Sequence, residues 1–164
     1  MQKPFYDRLA RPFESDEHKK RRLIRANDIV SKAFYLAYPV LLLILALLRD
    51  ERLLRVILVP LLSFLAVTIF RKIVNAPRPY ETWDNPPLIS KDTRGNSFPS
   101  RHVFCIFIIA MATAYVCMPV AIVMIAAGVF LAAVRVVARV HFVKDVVAGA
   151  AIGVILGWLG FWVI

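Results

Sequence analysis

Cysteine is nearly missing from this chain of 164 residues, and carboxylates are outnumbered. The two cysteines, Cys105 and Cys117, lie in one apolar run. They stand about three helical turns apart, too far to pair with each other. No CxxC or other metal-type spacing occurs, so no disulfide framework or cysteine-held metal is expected. Eleven Asp and Glu stand against 21 Lys and Arg, a formal net charge of +10. Such a charge often means nucleic acid, but there is no polar stretch long enough to build a soluble basic surface, so no nucleic-acid partner is expected. A signal peptide is missing as well. The first 28 residues, MQKPFYDRLARPFESDEHKKRRLIRAND, lack the apolar core that should follow a basic start, and no cleavage is expected.

What is present is hydrocarbon. The chain is 60% hydrophobic with a mean hydropathy of +0.67, above the roughly half-apolar content of soluble domains. The excess is gathered into runs that approach the ~20 apolar residues of a membrane-spanning helix. The spacing predicts spans over about 29–48, 53–72, 99–118, 119–139 and 142–164. The fold expected is all-α: a multi-pass transmembrane bundle of about five spans. Residues 1–28 form a basic amphipathic arm or interfacial helix, and 29–164 the membrane-embedded domain. The stretch 73–98 is rich in proline and polar residues. Irregular backbone has no partners in lipid, so this stretch is a surface loop. Pro99 suits the first turn of a helix, and Pro119 opens the next span after almost no loop. Gly149, Gly153 and Gly157 recur every four residues, a stripe that lets helices pack closely within one chain or across a homodimer.

Five antiparallel spans bring four span ends to one face. There lie Arg71, Lys72, Arg78, Ser100, Arg101, His102, Arg135, Arg139, His141, Lys144 and Asp145. Lysines and arginines at span ends also anchor helices at the interface, which accounts for Arg55, Lys72 and Lys144. It accounts poorly for Arg135, which lies about a turn inside its span. Ionisable groups gathered at membrane depth point to function. His141 and Asp145 share a helix face, and a carboxylate behind an imidazole holds one tautomer and leaves the other nitrogen basic. Guanidinium forks match phosphate oxygens, and N–H groups at a helix start add an anion site. One histidine could attack phosphorus while another protonates the leaving oxygen. The set predicts a membrane-face phosphoesterase with a phosphohistidine intermediate.

Three segments resemble the signatures of the type 2 phosphatidic acid phosphatase superfamily of integral membrane lipid phosphatases, also related to vanadium haloperoxidases. RKIVNAPRP matches a Lys, six residues and Arg-Pro, with Arg71 in the lysine's place and Arg78 before Pro79. PSRH, Pro99 to His102, matches Pro-Ser-Gly-His. VRVVARVHFVKD supplies Arg135, His141 and Asp145 at the intervals of the third signature. The resemblance covers roughly residues 55–160. It implies His141 as nucleophile, Asp145 as its orienting carboxylate and His102 as general acid. It implies Arg71, Arg78, Ser100 and Arg135 as phosphate-holding groups, helped by backbone N–H near Arg101. No metal and no cofactor are implied. The substrate implied is a phosphorylated lipid met in the bilayer: an isoprenyl diphosphate, phosphatidylglycerophosphate or phosphatidic acid.

Three departures stand out. Arg71 replaces Lys; Lys72 beside it is expected on a different helix face, as a secondary contact only. Arg101 replaces Gly, bringing a bulky cation that adds a phosphate contact or narrows the entrance. Val134 replaces Ser. Many family members also have six spans, and this chain reads as carrying a basic arm where the first would be. The chain is expected in a cell membrane, inner or plasma, and the positive-inside rule places the active face and the arm in the cytoplasm. Family members that recycle undecaprenyl carriers often face outward. Two other functions fit the same residues: a phosphotransferase with an acceptor other than water, and a scaffold or transporter that binds phosphorylated lipid without cleaving it.

Overall fold

A computed structural model of the chain describes residues 3–83, 85–90 and 93–164. Among them all the regular structure is helical, with no strand. The elements are α1 (Lys3–Glu14), α2 (Glu17–Leu47), α3 (Leu53–Val74), the short α4 (Pro79–Trp83), α5 (Arg101–Val116), α6 (Met118–Val137) and α7 (Val143–Trp158). A π-helical turn, Leu159–Val163, continues α7. The all-α multi-pass bundle expected from the sequence is the architecture found.

Among the described residues four stretches are long and apolar enough to cross a membrane: Glu17–Leu47, Leu53–Trp83, Met118–Val137 and Val143–Val163. The helix at the expected third span is shorter. The 16 residues of α5 cover roughly 24 Å against a ~30 Å hydrocarbon core. Its ends are set by Ser100 and Cys117, both in extended conformation. Instead of facing lipid, α5 is the core of the bundle. Val103, Phe104, Ala110 and Ala112 are wholly buried, and α5 packs chiefly on α7 and α6, then on α3 and α2. The outer helices carry the lipid-facing surface, where residues such as Leu47, Ile73 and Ile164 are exposed.

The glycine stripe faces this central helix. A Cβ on Gly149 would lie 2.6 Å from the Ser100 carbonyl oxygen, and one on Gly153 would lie 2.9 Å from that of Phe104. Glycine is therefore required where α7 meets the start of α5. That approach closes the Ser100 N–H to Asp145 carbonyl bond at 2.8 Å, which joins the two helix starts that carry the expected site.

The N-terminal residues are ordered against the bundle. Asp16 caps α2 by accepting from the His18 and Lys19 N–H groups, and these bonds hold its carboxyl below the usual range. The helix starts twelve residues before the expected span, so residues 17–28 form a basic helical overhang. At 31 residues, α2 is roughly 46 Å long and exceeds the hydrocarbon thickness. Tyr6 and Ala10 of α1 are buried, while Phe5 is exposed. The Tyr6 ring packs on Trp83 and Phe142, and its hydroxyl accepts from the Val143 N–H at 2.9 Å.

Candidate active site

Three backbone devices shape the site. Helix α3 ends at Asn75, whose left-handed conformation (φ 40°) lets its N–H return to the Arg71 carbonyl. The Asn75 side chain then accepts from the Asn96 N–H at 3.2 Å. Gly95, at φ 64°, turns the end of the loop back, and its N–H donates to Glu81 Oε1 at 2.7 Å. Ser97 N–H bonds to the Ala76 carbonyl at 2.8 Å. Residues 93–100 are thereby folded onto the end of α3, and Phe98–Pro99 is a cis peptide.

Two of the expected phosphate-holding arginines sit inside this fold and hold it. Arg71 donates to the carbonyls of Asn96 and Pro99, with a longer bond to Ser97 at 3.4 Å. Arg78 Nε donates to the Gly95 carbonyl at 3.0 Å, and its Nη1 to the Val140 carbonyl at 3.3 Å. Both are nearly buried. They link the loop to the segment that carries His141.

His141 lies between α6 and α7. The Arg135 carbonyl accepts from the N–H groups of Val140 and His141 at 3.1 and 3.3 Å. The left-handed turn at Arg139 (φ 57°) precedes it. Arg139 is buried and pairs with Asp7 at 3.1 Å and Glu14 at 2.5 Å, so α1 clamps this turn. His141 Nδ1 is 3.6 Å from Asp145 Oδ2 and 3.3 Å from Ser97 Oγ. Ser97 Oγ donates to the same Asp145 oxygen at 2.5 Å, and the Phe142 N–H reaches it at 3.0 Å. Ser97 thus stands between imidazole and carboxylate, able to accept the Nδ1 proton while donating its own. This arrangement favours the neutral tautomer with hydrogen on Nδ1 and keeps the Nε2 lone pair free. Burial pushes the His141 pKa down to about 4, with the Arg78 and Arg135 charges adding and Asp145 opposing. The ring is therefore neutral at ordinary pH, the form that can act as a nucleophile.

His141 opens onto a cavity of about 310 Å³. Its walls also carry Arg71, Lys72, Arg78, Arg94, Arg101 and His102. The two histidines expected from the sequence share this space. Lys72, expected on another face, lines it beside Arg71. Ser100, Arg135 and Asp145 are not in the wall. Asp145 acts from behind His141. Ser100 is fully buried, with its hydroxyl lacking a hydrogen-bond partner among the described residues. Arg135 is buried, its Nε also unpartnered there.

Sequence reasoning missed Ser97 and Arg94. Ser97 lies in the loop, two residues outside the PSRH signature, and only folding brings it to Asp145. The Gly95-Asn96 pair signalled a turn there, though not what the turn would deliver.

The matching family model is described as the PAP2 superfamily and covers residues 52–164. No curated protein matches the chain. Among solved structures, LpxE of Aquifex aeolicus superposes with a TM-score of 0.74 at 24% identity, covering 96% of this chain and 92% of that one. The first transmembrane PAP2-type phosphatidylglycerolphosphate phosphatase, from Bacillus subtilis, superposes with a TM-score of 0.60 at 22% identity, covering 98% and 94%. At these identities the two structures establish a shared fold, and the family match spans more than half of the chain. The chain belongs to the PAP2 superfamily.

Proposed function

We propose that the protein is a membrane lipid phosphatase that works through a phosphohistidine on His141. The observation that carries this reading is a neutral imidazole, backed by Ser97 and Asp145, at the wall of a cation-lined cavity that also holds His102. Support also comes from the Bacillus subtilis structural neighbour, which is described as a PAP2-type phosphatidylglycerolphosphate phosphatase.

His141 Nε2 attacks phosphorus, and the bond from phosphorus to the leaving oxygen breaks. His102 gives a proton to that oxygen, which leaves as a lipid alcohol or lipid monophosphate. The Nδ1 proton stays on the Ser97–Asp145 side, where the carboxylate offsets the charge gained by the ring. His102, now basic, takes a proton from water as the water oxygen attacks the phosphohistidine. Inorganic phosphate leaves and both histidines return to their first state. The cationic wall offsets charge on the phosphoryl oxygens.

Purified protein in detergent should release phosphate from a lipid phosphate, and His141→Ala should abolish release. Brief incubation with substrate labelled at the terminal phosphorus should leave acid-labile label on the wild type only. Full activity in His141→Ala would overturn the nucleophile.

The active face is cytoplasmic in this reading. Support comes from the contacts of Tyr6, Asp7 and Glu14 with residues 139–143, which keep the basic N-terminal helices on the side of the site. Labelling a cysteine placed at Thr93 in intact cells tests this. Labelling from outside would reverse the orientation.

A further inference from the structure

The cavity contains more cations than its own loop uses, and one of them stands at a junction. Arg71 donates to three loop carbonyls, and Arg78 to those of Gly95 and Val140. Lys72, Arg94 and Arg101 are exposed in the same cavity. Among the described residues none of these three takes part in a hydrogen bond or ion pair. Among the described residues no carboxylate lines the cavity wall. The space offers a strong positive field to an anion larger than one phosphoryl group needs.

Arg101 differs from the other two in what lies beneath it. Its guanidinium sits over the Phe64 ring, 6.0 Å from the centroid, within the range of a cation–π contact. Phe64 also lines a separate groove of about 330 Å³ between α2, α3 and α5. The walls of that groove, including Tyr38, Pro60, Leu61 and Ile109, are almost wholly apolar. Arg101 therefore stands with the cationic cavity on one side and a hydrocarbon groove on the other.

A lipid with its chain in that groove and its terminal phosphorus at His141 presents one part of itself to Arg101. That part is the group joining chain to phosphorus. In a monophosphate it is an uncharged ester oxygen, which gives a guanidinium little to bind. In a diphosphate it is the inner phosphoryl group, an anion whose oxygens match the guanidinium fork.

We propose that Arg101 is a specificity-determining residue for lipid diphosphates, binding the inner phosphoryl group that leaves as the lipid monophosphate. This rests on the phosphatase reading above. In the step itself, the bridging P–O bond breaks as the His141 N–P bond forms. The electron pair goes to the bridging oxygen, which His102 protonates, while Arg101 holds the anionic oxygens of the departing monophosphate. Lys72 and Arg94 face the terminal phosphoryl group.

The test compares farnesyl diphosphate with farnesyl monophosphate, two probes with the same chain, using purified full-length protein in detergent. Wild type should favour the diphosphate in kcat/KM. Arg101→Gly and Arg101→Met should each lower the diphosphate-to-monophosphate ratio about tenfold, and Arg101→Lys should hold it within about threefold of wild type. Thermal unfolding of each variant checks that the fold is kept, which the exposure of Arg101 favours. A ratio unchanged in both neutral variants, or a wild type that prefers the monophosphate, would overturn the assignment. Turnover of the monophosphate alone would leave the phosphatase reading standing without this one. Release from neither probe would remove both.

Discussion

Ser97→Ala removes one oxygen from a wholly buried position. In the native site that oxygen donates to Asp145 Oδ2 at 2.5 Å and lies 3.3 Å from His141 Nδ1. The substitution leaves the Asp145 carboxylate with the Phe142 N–H alone on that oxygen, while Asp145 Oδ1 is already without a partner among the described residues. A hydrogen bond to a buried charged group is worth about 1.5–3 kcal/mol. The methyl group fits the space, so packing adds little. The expected loss of stability is therefore about 2 kcal/mol, a fall in Tm of roughly 4–8 °C for a domain of this size. Activity should fall further than stability implies. The Nδ1–H then faces Asp145 across 3.6 Å, too long for a good hydrogen bond, and the ring is less well oriented for attack. If about 1.4–2.8 kcal/mol of that orientation is lost in the transition state, kcat falls ten- to a hundredfold. KM should stay within about threefold, because Ser97 is not in the cavity wall. The assay is steady-state phosphate release beside thermal unfolding of the same preparation. A kcat within twofold of wild type would refute the role of Ser97, whatever happens to Tm.

Protonation of His141 should remove activity at low pH. With the folded pKa near 4, kcat/KM should hold through mildly acidic pH and fall as pH drops through about 4. The same shift affects stability. The unfolded imidazole binds its proton near pH 6.5, so the neutral buried ring favours the fold above that value, and this contribution is lost as pH falls from about 6.5 towards 4. Tm measured between pH 7 and 4.5 should decline across that window. Gly149→Ala should cost about 1–3 kcal/mol by overpacking, because its Cβ would meet the Ser100 carbonyl at 2.6 Å; both Tm and kcat should drop. Arg139→Gly keeps the left-handed turn (φ 57°) but removes the pairs to Asp7 and Glu14. Limited proteolysis should then cut α1 faster, and kcat should fall as the His141 segment loosens. Unchanged proteolysis would show that α1 is held by its aromatic contacts instead.

Much of the molecule was legible in the chain, for identifiable reasons. Apolar runs must be helical in lipid because their backbone groups have no other partners. The bundle therefore followed from hydropathy. The i,i+4 spacing of His141 and Asp145 put them together locally, and they pair with Nδ1 3.6 Å from Oδ2. Charge at the span ends marked the face on which Arg71, Arg78, His102 and His141 meet.

Other features depend on contacts between distant segments and had no local signature. Hydropathy alone could not distinguish a helix in lipid from one wrapped by other helices, so α5 read as one more full-length span. The position of Ser97 depends on the turns at Asn75 and Gly95 and on the two arginines that bind the loop carbonyls. Arg71 and Arg78 looked like phosphate ligands because their type suits one, yet the fold directs them at backbone oxygens as well. The basic arm read as interfacial, but Tyr6, Asp7 and Glu14 reach the turn around Arg139. Sequence by itself determined which segments enter lipid and which residue types gather at one face, because burial and charge cost free energy wherever the chain runs. Tertiary structure decided which atom each of those residues meets, because hydrogen bonds and ion pairs form over a few ångströms between residues as far as 137 positions apart.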